Sequence, residues 1–474
     1  MTYDEAAAYL ETFTNYERTH QPSAMRQVKL ERMQHLCRRL GEPQRRFRSV
    51  LVAGTNGKGS ICAMLYAMLR AGGLRVGLYT SPHLEHLRER IRVWDARPGE
   101  PAGRAGGGSD HRSRAHGEDW IREEEFAAAV ERLRPELEAM RRDSPESAPT
   151  YFEAVTAAAF LCFSRRRVEL AVLEVGLGGR LDATNIVEQA VSILGPIGED
   201  HTDILGMEPA AIAREKVNII KPGQVVLSAP QSAEVLAVLQ AACEEHGVPL
   251  FIGGRDLTAS IQRHSLDGLK CSFTGFRGVY ESVQLPLLGR HQATNAVLAV
   301  GALEALADTG VPYGLVERGL AAVDWPGRLE VVHEAPLMIM DGAHNPEAAE
   351  ALAATLTELC PGRPIHLLVG MSADKSPEEF GRRVGRLTVS AICTRSRHPR
   401  ALDLVQLAGR LWPFCPDVHV MPDAADALTY LLNTVSAQDV IVVTGSLFLV
   451  GELRGAIRQS HLRPRRAAQL QPIS

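Results

Sequence analysis

Between residues 50 and 228, short apolar runs rich in β-branched side chains alternate with stretches of helical periodicity. The runs are 50–53, 75–79, 168–175, 191–194 and 225–228. A strand that is apolar without interruption must be covered on both faces, and strands joined through helices run in one direction, so the pattern predicts a parallel α/β sheet. A second alternation begins near Leu337, with runs 337–341, 365–370, 391–394, 418–421 and 440–444. Between the two sets lie a helical stretch, 292–306, and Asp324-Trp325-Pro326-Gly327-Arg328, whose Pro-Gly pair marks a turn. At 474 residues the chain can hold two or three domains with cores of their own, and this join predicts two, 1–326 and 327–474.

Hydrophobic residues make up 45% of the chain and the net charge is −4, which excludes predominant disorder and leaves no basic excess for wrapping nucleic acid. Residues 95–119 break the pattern: they are packed with Gly, Arg, Ser and Pro, include Gly106-Gly107-Gly108-Ser109, and predict a flexible surface insertion. The tail after Leu462 predicts fraying for the same reason. Eight cysteines without a Cys-x-x-Cys pair predict reduced, mostly buried thiols. Residues 1–10 lack the basic and apolar regions of a signal peptide, and no apolar run reaches membrane-spanning length. A soluble, cytoplasmic, monomeric chain is expected, with neither nucleic-acid nor membrane partners. Its cations are almost all arginine: only Lys29, Lys58, Lys216, Lys221, Lys270 and Lys375 are lysines.

The most specific local signal is Val50-Leu51-Val52-Ala53-Gly54-Thr55-Asn56-Gly57-Lys58-Gly59-Ser60, followed by a helical run over 61–71. A buried strand feeding a glycine-rich turn into a helix N-terminus aims several backbone N–H groups and the positive helix end at one point, as a polyphosphate requires. Lys58 can reach the β- and γ-phosphates, and the Ser60 hydroxyl can sit on magnesium. The loop is shorter than G-x-x-x-x-G-K-[ST], and Gly59 separates the lysine from the hydroxyl. A second glycine turn, Gly176-x-Gly178-Gly179, invites a dinucleotide-binding reading, but 180–185 supplies no apolar helix behind it. A nicotinamide enzyme stays as an alternative.

Gly-Thr-Asn-Gly-Lys-Gly-Ser at 54–60 resembles the ATP loop of the Mur ligase superfamily, and its Gly-Lys-Gly-Ser ending is similar to the folylpolyglutamate synthase and dihydrofolate synthase branch. The resemblance continues in order from Thr80-Ser81-Pro82-His83-Leu84 to Thr444-Gly445-Ser446, across nearly all of the chain except the loop after Asp95 and the end. It implies an α/β fold: a P-loop-containing parallel-sheet ATPase domain, followed by a smaller Rossmann-like α/β domain on the glutamate side. It also implies ATP as co-substrate and two Mg²⁺ ions. Ser81, Glu174 and His201 match the family's magnesium positions, and each stands near a strand end. A lone histidine or glutamate is also an ordinary structural residue. Lys216 matches the lysine that the family carbamylates into a ligand for a second magnesium, and it joins Lys58 as an expected catalytic residue.

Asn295 and Arg328 match nucleotide contacts, with Gln292 nearby, and Asp341 resembles a further ATP contact. His344 and Ser446 resemble positions that hold the incoming glutamate, with His344 also expected in catalysis. The family places its pterin site near Thr150-Tyr151-Phe152-Glu153, where Phe152 can stack on a flat ring and the pair of aromatics can equally be core. Residues 86–93, with Arg88, Glu89 and Arg90, are similar to its substrate-side loop. The expected reaction is ATP-driven addition of L-glutamate to dihydropteroate, to a tetrahydrofolate, or to both, through an acyl phosphate. The alternatives are a Mur-type ligase of peptidoglycan precursors and a P-loop nucleotide-binding protein without ligase activity.

Overall fold

The computed structural model describes residues 1–19, 29–95, 119–144, 147–199, 208–306 and 315–458. His201, the expected insertion between Asp95 and Asp119, and the tail after Leu462 lie outside the described residues. The chain divides into two compact units, Met1–Trp325 and Pro326–Ser474.

In the first unit the strands are β1 (Arg48–Ala53), β2 (Val76–Tyr79), β3 (Ile91–Trp94), β4 (Leu170–Glu174), β5 (Gln189–Leu194), β6 (Val225–Ser228) and β7 (Leu250–Ile252). They form one sheet in the order β3-β2-β4-β1-β5-β6-β7. The pairs from β2 to β7 are parallel, and β3 runs antiparallel to β2. Burial explains the uninterrupted apolar runs. Along β1, Leu51 and Ala53 enter one core with Tyr79, Leu173 and the helices Glu123–Asp143 and Tyr151–Arg165. Val50 and Val52 enter another with Leu78, Val172 and the helices Lys58–Ala71 and His291–Ala305. Each fully buried valine or leucine gains roughly 1.5–3 kcal/mol over an exposed one, which keeps both faces mostly apolar.

Strands β8 (Thr258–Ser265), β9 (Gly268–Thr274) and β10 (Val279–Leu285) form a separate antiparallel sheet in the order β10-β9-β8. Its inner residues Leu269, Cys271, Phe273 and Leu285 join the core beneath His291–Ala305. These three strands, β3 and β7 are additions to the five strands read from the sequence. They escape that reading because they are short or alternate with outward polar residues such as Gln262 and Arg263, the pattern of a half-exposed antiparallel strand.

The second unit holds β11 (Glu330–Glu334), β12 (Leu337–Met340), β13 (Ile365–Val369), β14 (Ser390–Arg395), β15 (Val418–Asp423) and β16 (Val440–Thr444), ordered β11-β12-β16-β13-β14-β15. All pairs are parallel except β11 with β12. All eight cysteines are buried and free. Among the described residues no helix is long and apolar enough to cross a membrane.

Candidate active site

The C-terminal ends of β2, β4, β1 and β5 lie side by side, and the loop leaving β1 is built against its neighbours. Thr55 N donates to Pro196 O at 2.8 Å, and the Thr55 hydroxyl donates to Gly198 O at 3.0 Å. The loop enters helix Lys58–Ala71 through Gly57, whose φ of 78° lies in the left-handed region. A Cβ there would stand 2.5 Å from Asn295 Oδ1. Trp325 lies against the next glycine of the loop, with ring atoms 2.8 Å from where a Gly59 Cβ would be. The helix start therefore offers backbone N–H groups at a surface that only glycine permits.

Two lysines converge on this loop. Lys58 Nζ donates to Gly54 O at 3.1 Å and to Thr55 O at 3.2 Å. Lys216, at the end of helix Pro209–Lys216 and 5% exposed, donates from Nζ to Gly54 O at 2.9 Å. The two Nζ atoms share one carbonyl and so stand within about 6 Å of each other, which brings both lysines to the glycine loop.

Helix His291–Ala305 reaches the same point from the side. Asn295 Nδ2 donates to Gln292 Oε1 at 3.0 Å, and Gln292 Nε2 donates to Ser60 Oγ at 3.4 Å, with all three side chains buried. Asn295 is thus part of the loop's wall. Gln292 is the residue that ties the helix to Ser60, and its place one turn before Asn295 was the available signal.

The parallel register of β2 and β4 pairs Tyr79 with Leu173, which brings the following residues together. Ser81 N donates to Glu174 Oε2 at 3.0 Å. Behind Glu174, the turn 176–185 is braced by Asp182, whose carboxylate accepts from Gly176 N at 2.9 Å, Leu177 N at 3.0 Å and Thr184 N at 2.9 Å. Burial raises the pKa of Asp182, and these hydrogen bonds oppose the shift. Its role escaped the sequence reading, although aspartate ahead of a helical turn is a known cap. Lys221 was also unassigned: its Nζ donates to Asn185 O at 2.9 Å and Val187 O at 3.0 Å, and burial brings its pKa down to about 8.

The four residues expected around a pterin divide. Thr150 and Glu153 form a reciprocal cap on helix Tyr151–Arg165, with Thr150 N donating to Glu153 Oε2 at 2.6 Å. The Glu153 carboxylate also accepts Arg32 Nε at 2.8 Å, which fixes it as a buried structural ion pair. Tyr151 is 2% exposed, with the Arg90 guanidinium 5.7 Å from its ring centroid. Only Phe152 keeps part of its ring accessible, where it packs on Gly176.

Beside it, the substrate-side loop is held by the buried Arg90, which pairs with Glu17 and donates from Nε to His83 Nδ1 at 2.9 Å. An imidazole that accepts there is unprotonated at Nδ1. Burial first, and Arg90 second, push its pKa down to about 3 from an ordinary 6.5. The unfolded chain therefore binds an extra proton between these values, and stability falls as pH drops through them. His83→Gln is expected to flatten the slope of unfolding free energy against pH by up to about 1.4 kcal/mol per pH unit between pH 6 and 4, measured by urea denaturation.

In the second unit the register of β12 against β16 joins the two predicted loops. Gly445 N donates to Ala343 O at 3.0 Å, which places His344 and Ser446 at the same sheet edge. Asn345 caps helix Pro346–Leu359 through its bond from Ala348 N at 2.9 Å, and the Ser446 hydroxyl accepts from Phe448 N at 3.2 Å. His344 Nδ1 is 2.6 Å from Gly342 O. Asp341 accepts from Leu329 N at 2.9 Å and Ala343 N at 2.8 Å, bracing the turn that carries Arg328. Its pKa is raised by burial and held back by Arg328.

Residues 127–303 match the Mur ligase middle domain, and residues 327–447 match the Mur ligase, glutamate ligase domain. The dihydrofolate synthase/folylpolyglutamate synthase of Bacillus subtilis is 32% identical over 441 residues, covering 90% of this chain and 95% of that protein. The structure of Mycobacterium tuberculosis folylpolyglutamate synthase complexed with ADP superposes with a TM-score of 0.83 at 30% identity, covering 98% of this chain and 99% of that one. Escherichia coli FolC in complex with DHPP and ADP gives a TM-score of 0.81 at 28% identity, with coverages of 97% and 99%. The chain belongs to the folylpolyglutamate synthase/dihydrofolate synthase family of the Mur ligase superfamily.

Proposed function

We propose that this ATP-dependent glutamate ligase joins L-glutamate to dihydropteroate, to a tetrahydrofolate, or to both, by way of an acyl phosphate. The observation that carries the reading is the convergence of Lys58 and Lys216 on the Gly54 carbonyl at a helix N-terminus. A carboxylate is a poor acyl donor. Moving the γ-phosphoryl of ATP onto it breaks the terminal phosphoanhydride bond, releases ADP and creates a good leaving group. The glutamate amine then attacks the acyl carbon, phosphate leaves, and the amine loses a proton. Lys58, the helix N-terminus and Arg328 suit the charge that spreads during phosphoryl transfer. Phe152 offers a flat face to a pterin, and His344 and Ser446 offer polar groups to the glutamate.

The Ser81 hydroxyl and the Glu174 carboxylate are hard oxygen donors with a single charge between them, a set that fits magnesium, which keeps waters and phosphate oxygens in its shell. Bound there, magnesium supplies charge neutralisation to the phosphates. The same reading gives His201 and a carbamylated Lys216 to metal binding. In its amine form Lys216 donates to Gly54 O instead.

The test is ADP release from the purified chain with dihydropteroate and tetrahydrofolate supplied separately. Release that needs both glutamate and one of these acceptors supports the reading. Release indifferent to both points to a nucleotide-binding protein of another kind.

A further inference from the structure

We propose that a cleft in the first unit binds a small amphipathic organic anion, an aryl or acyl body carrying carboxylate, phosphate or sulfonate oxygens. The cleft, 390 Å³ in volume, lies between helices Glu123–Asp143 and Tyr151–Arg165 and the turn Pro43–Arg46. Its floor is apolar: Leu40, Ile121 and Cys162 are buried behind it, and Ala128 and Leu161 keep part of their apolar surface open to it. Its charged lining is Arg46, Arg132, Arg165 and Arg166 against one carboxylate, Glu125.

That carboxylate is already engaged: Oε1 accepts from Arg166 Nη1 at 3.0 Å and Oε2 from Arg122 N at 3.4 Å. Arg166 also pairs with Asp95, and its side chain keeps 27% exposure. Arg46, Arg132 and Arg165 are exposed and make no ion pair among the described residues. Guanidinium forks match the oxygens of carboxylate, phosphate and sulfonate, so the cleft favours an anion. An inorganic ion would leave the apolar floor uncovered. An organic body of drug size fills a volume of this order and buries that floor.

The cleft is separate from the site described above. Helix Tyr151–Arg165 begins at the Thr150 cap near Phe152 and reaches the cleft from Leu161 onward, a rise of about 14 Å. The inference therefore does not rest on the ligase reading.

The probe is anilinonaphthalene sulfonate, titrated by fluorescence into the full chain saturated with ADP. One saturable site is expected, with a Kd on the order of 10 µM for a ligand of that size. Octanoate or octyl phosphate should displace the dye, and the more effective of the two identifies the oxyanion held. Inorganic phosphate should need roughly 100-fold higher concentration, lacking an apolar body. The double substitution Arg132→Glu/Arg165→Glu, and separately Ala128→Glu at the cleft wall, should each weaken dye binding at least about tenfold through like-charge repulsion while leaving glutamate-dependent ADP release unchanged. Lys58→Ala should bind the dye as the parent does. Charge-reversed variants that bind the dye as tightly as the parent, or displacement by inorganic phosphate as readily as by octyl phosphate, would overturn the proposal.

Discussion

Lys58→Ala is expected to lower kcat for ADP release by a factor on the order of 10²–10³, with the fold intact. The ammonium lies on the loop, bonded to Gly54 O and Thr55 O, in a position to follow phosphate charge as it develops. Its contacts are two backbone carbonyls, so truncation leaves no buried partner charge behind. A melting temperature within a few degrees of the parent should accompany the loss. Lys216 cannot replace it: it stands on the same carbonyl but is buried at the end of another helix. Turnover at the parent rate would remove the loop from the chemistry.

Gly57→Ala is expected to weaken ADP binding by roughly 10- to 100-fold, measured by calorimetry, because the turn that presents the N–H groups can no longer close. Two costs coincide at this position. An L-residue at a φ of 78° loses roughly 1–2 kcal/mol, and its Cβ would stand 2.5 Å from Asn295 Oδ1. Asn295 cannot simply withdraw, since it is buried and bonded to Gln292, which bonds Ser60. ADP binding at the parent affinity would remove this turn from the nucleotide site.

The parts of the fold legible in the sequence are those whose signal is local and buried on both sides. Strands β1, β4 and β16 are nearly continuous apolar runs because both faces are covered. Strand β11 and the sheet β8–β10 carry polar residues on an exposed face, so no continuous apolar run marks them, although each strand pairs with its neighbour in the chain. The glycine loop was legible for the same local reason: its strand, turn, lysine and helix are contiguous. The convergence of Lys216 on Gly54 was not, because 162 residues separate them and only the order of the strands closes that gap.

The segment at Thr150 teaches the converse. A threonine followed three residues later by glutamate is a capping box, and the structure uses both in that way, with Arg32 completing the ion pair. Resemblance assigned the region to substrate, whereas the local pattern already assigned two of its four residues to the helix. The second unit shows a mixture: Asn345 and Pro346 were legible as a helix start, while the adjacency of His344 and Ser446 needed the register of β12 on β16.

The most direct test of the central claim is to follow oxygen through the reaction. The acceptor is labelled with ¹⁸O in its carboxylate and incubated with ATP and glutamate, and the released phosphate is analysed by mass spectrometry. An acyl phosphate requires one carboxylate oxygen to leave with the phosphoryl group, so one ¹⁸O per amide bond formed is expected in phosphate. Phosphate that carries no label while amide accumulates, or that forms at the same rate without glutamate and acceptor, would contradict the mechanism.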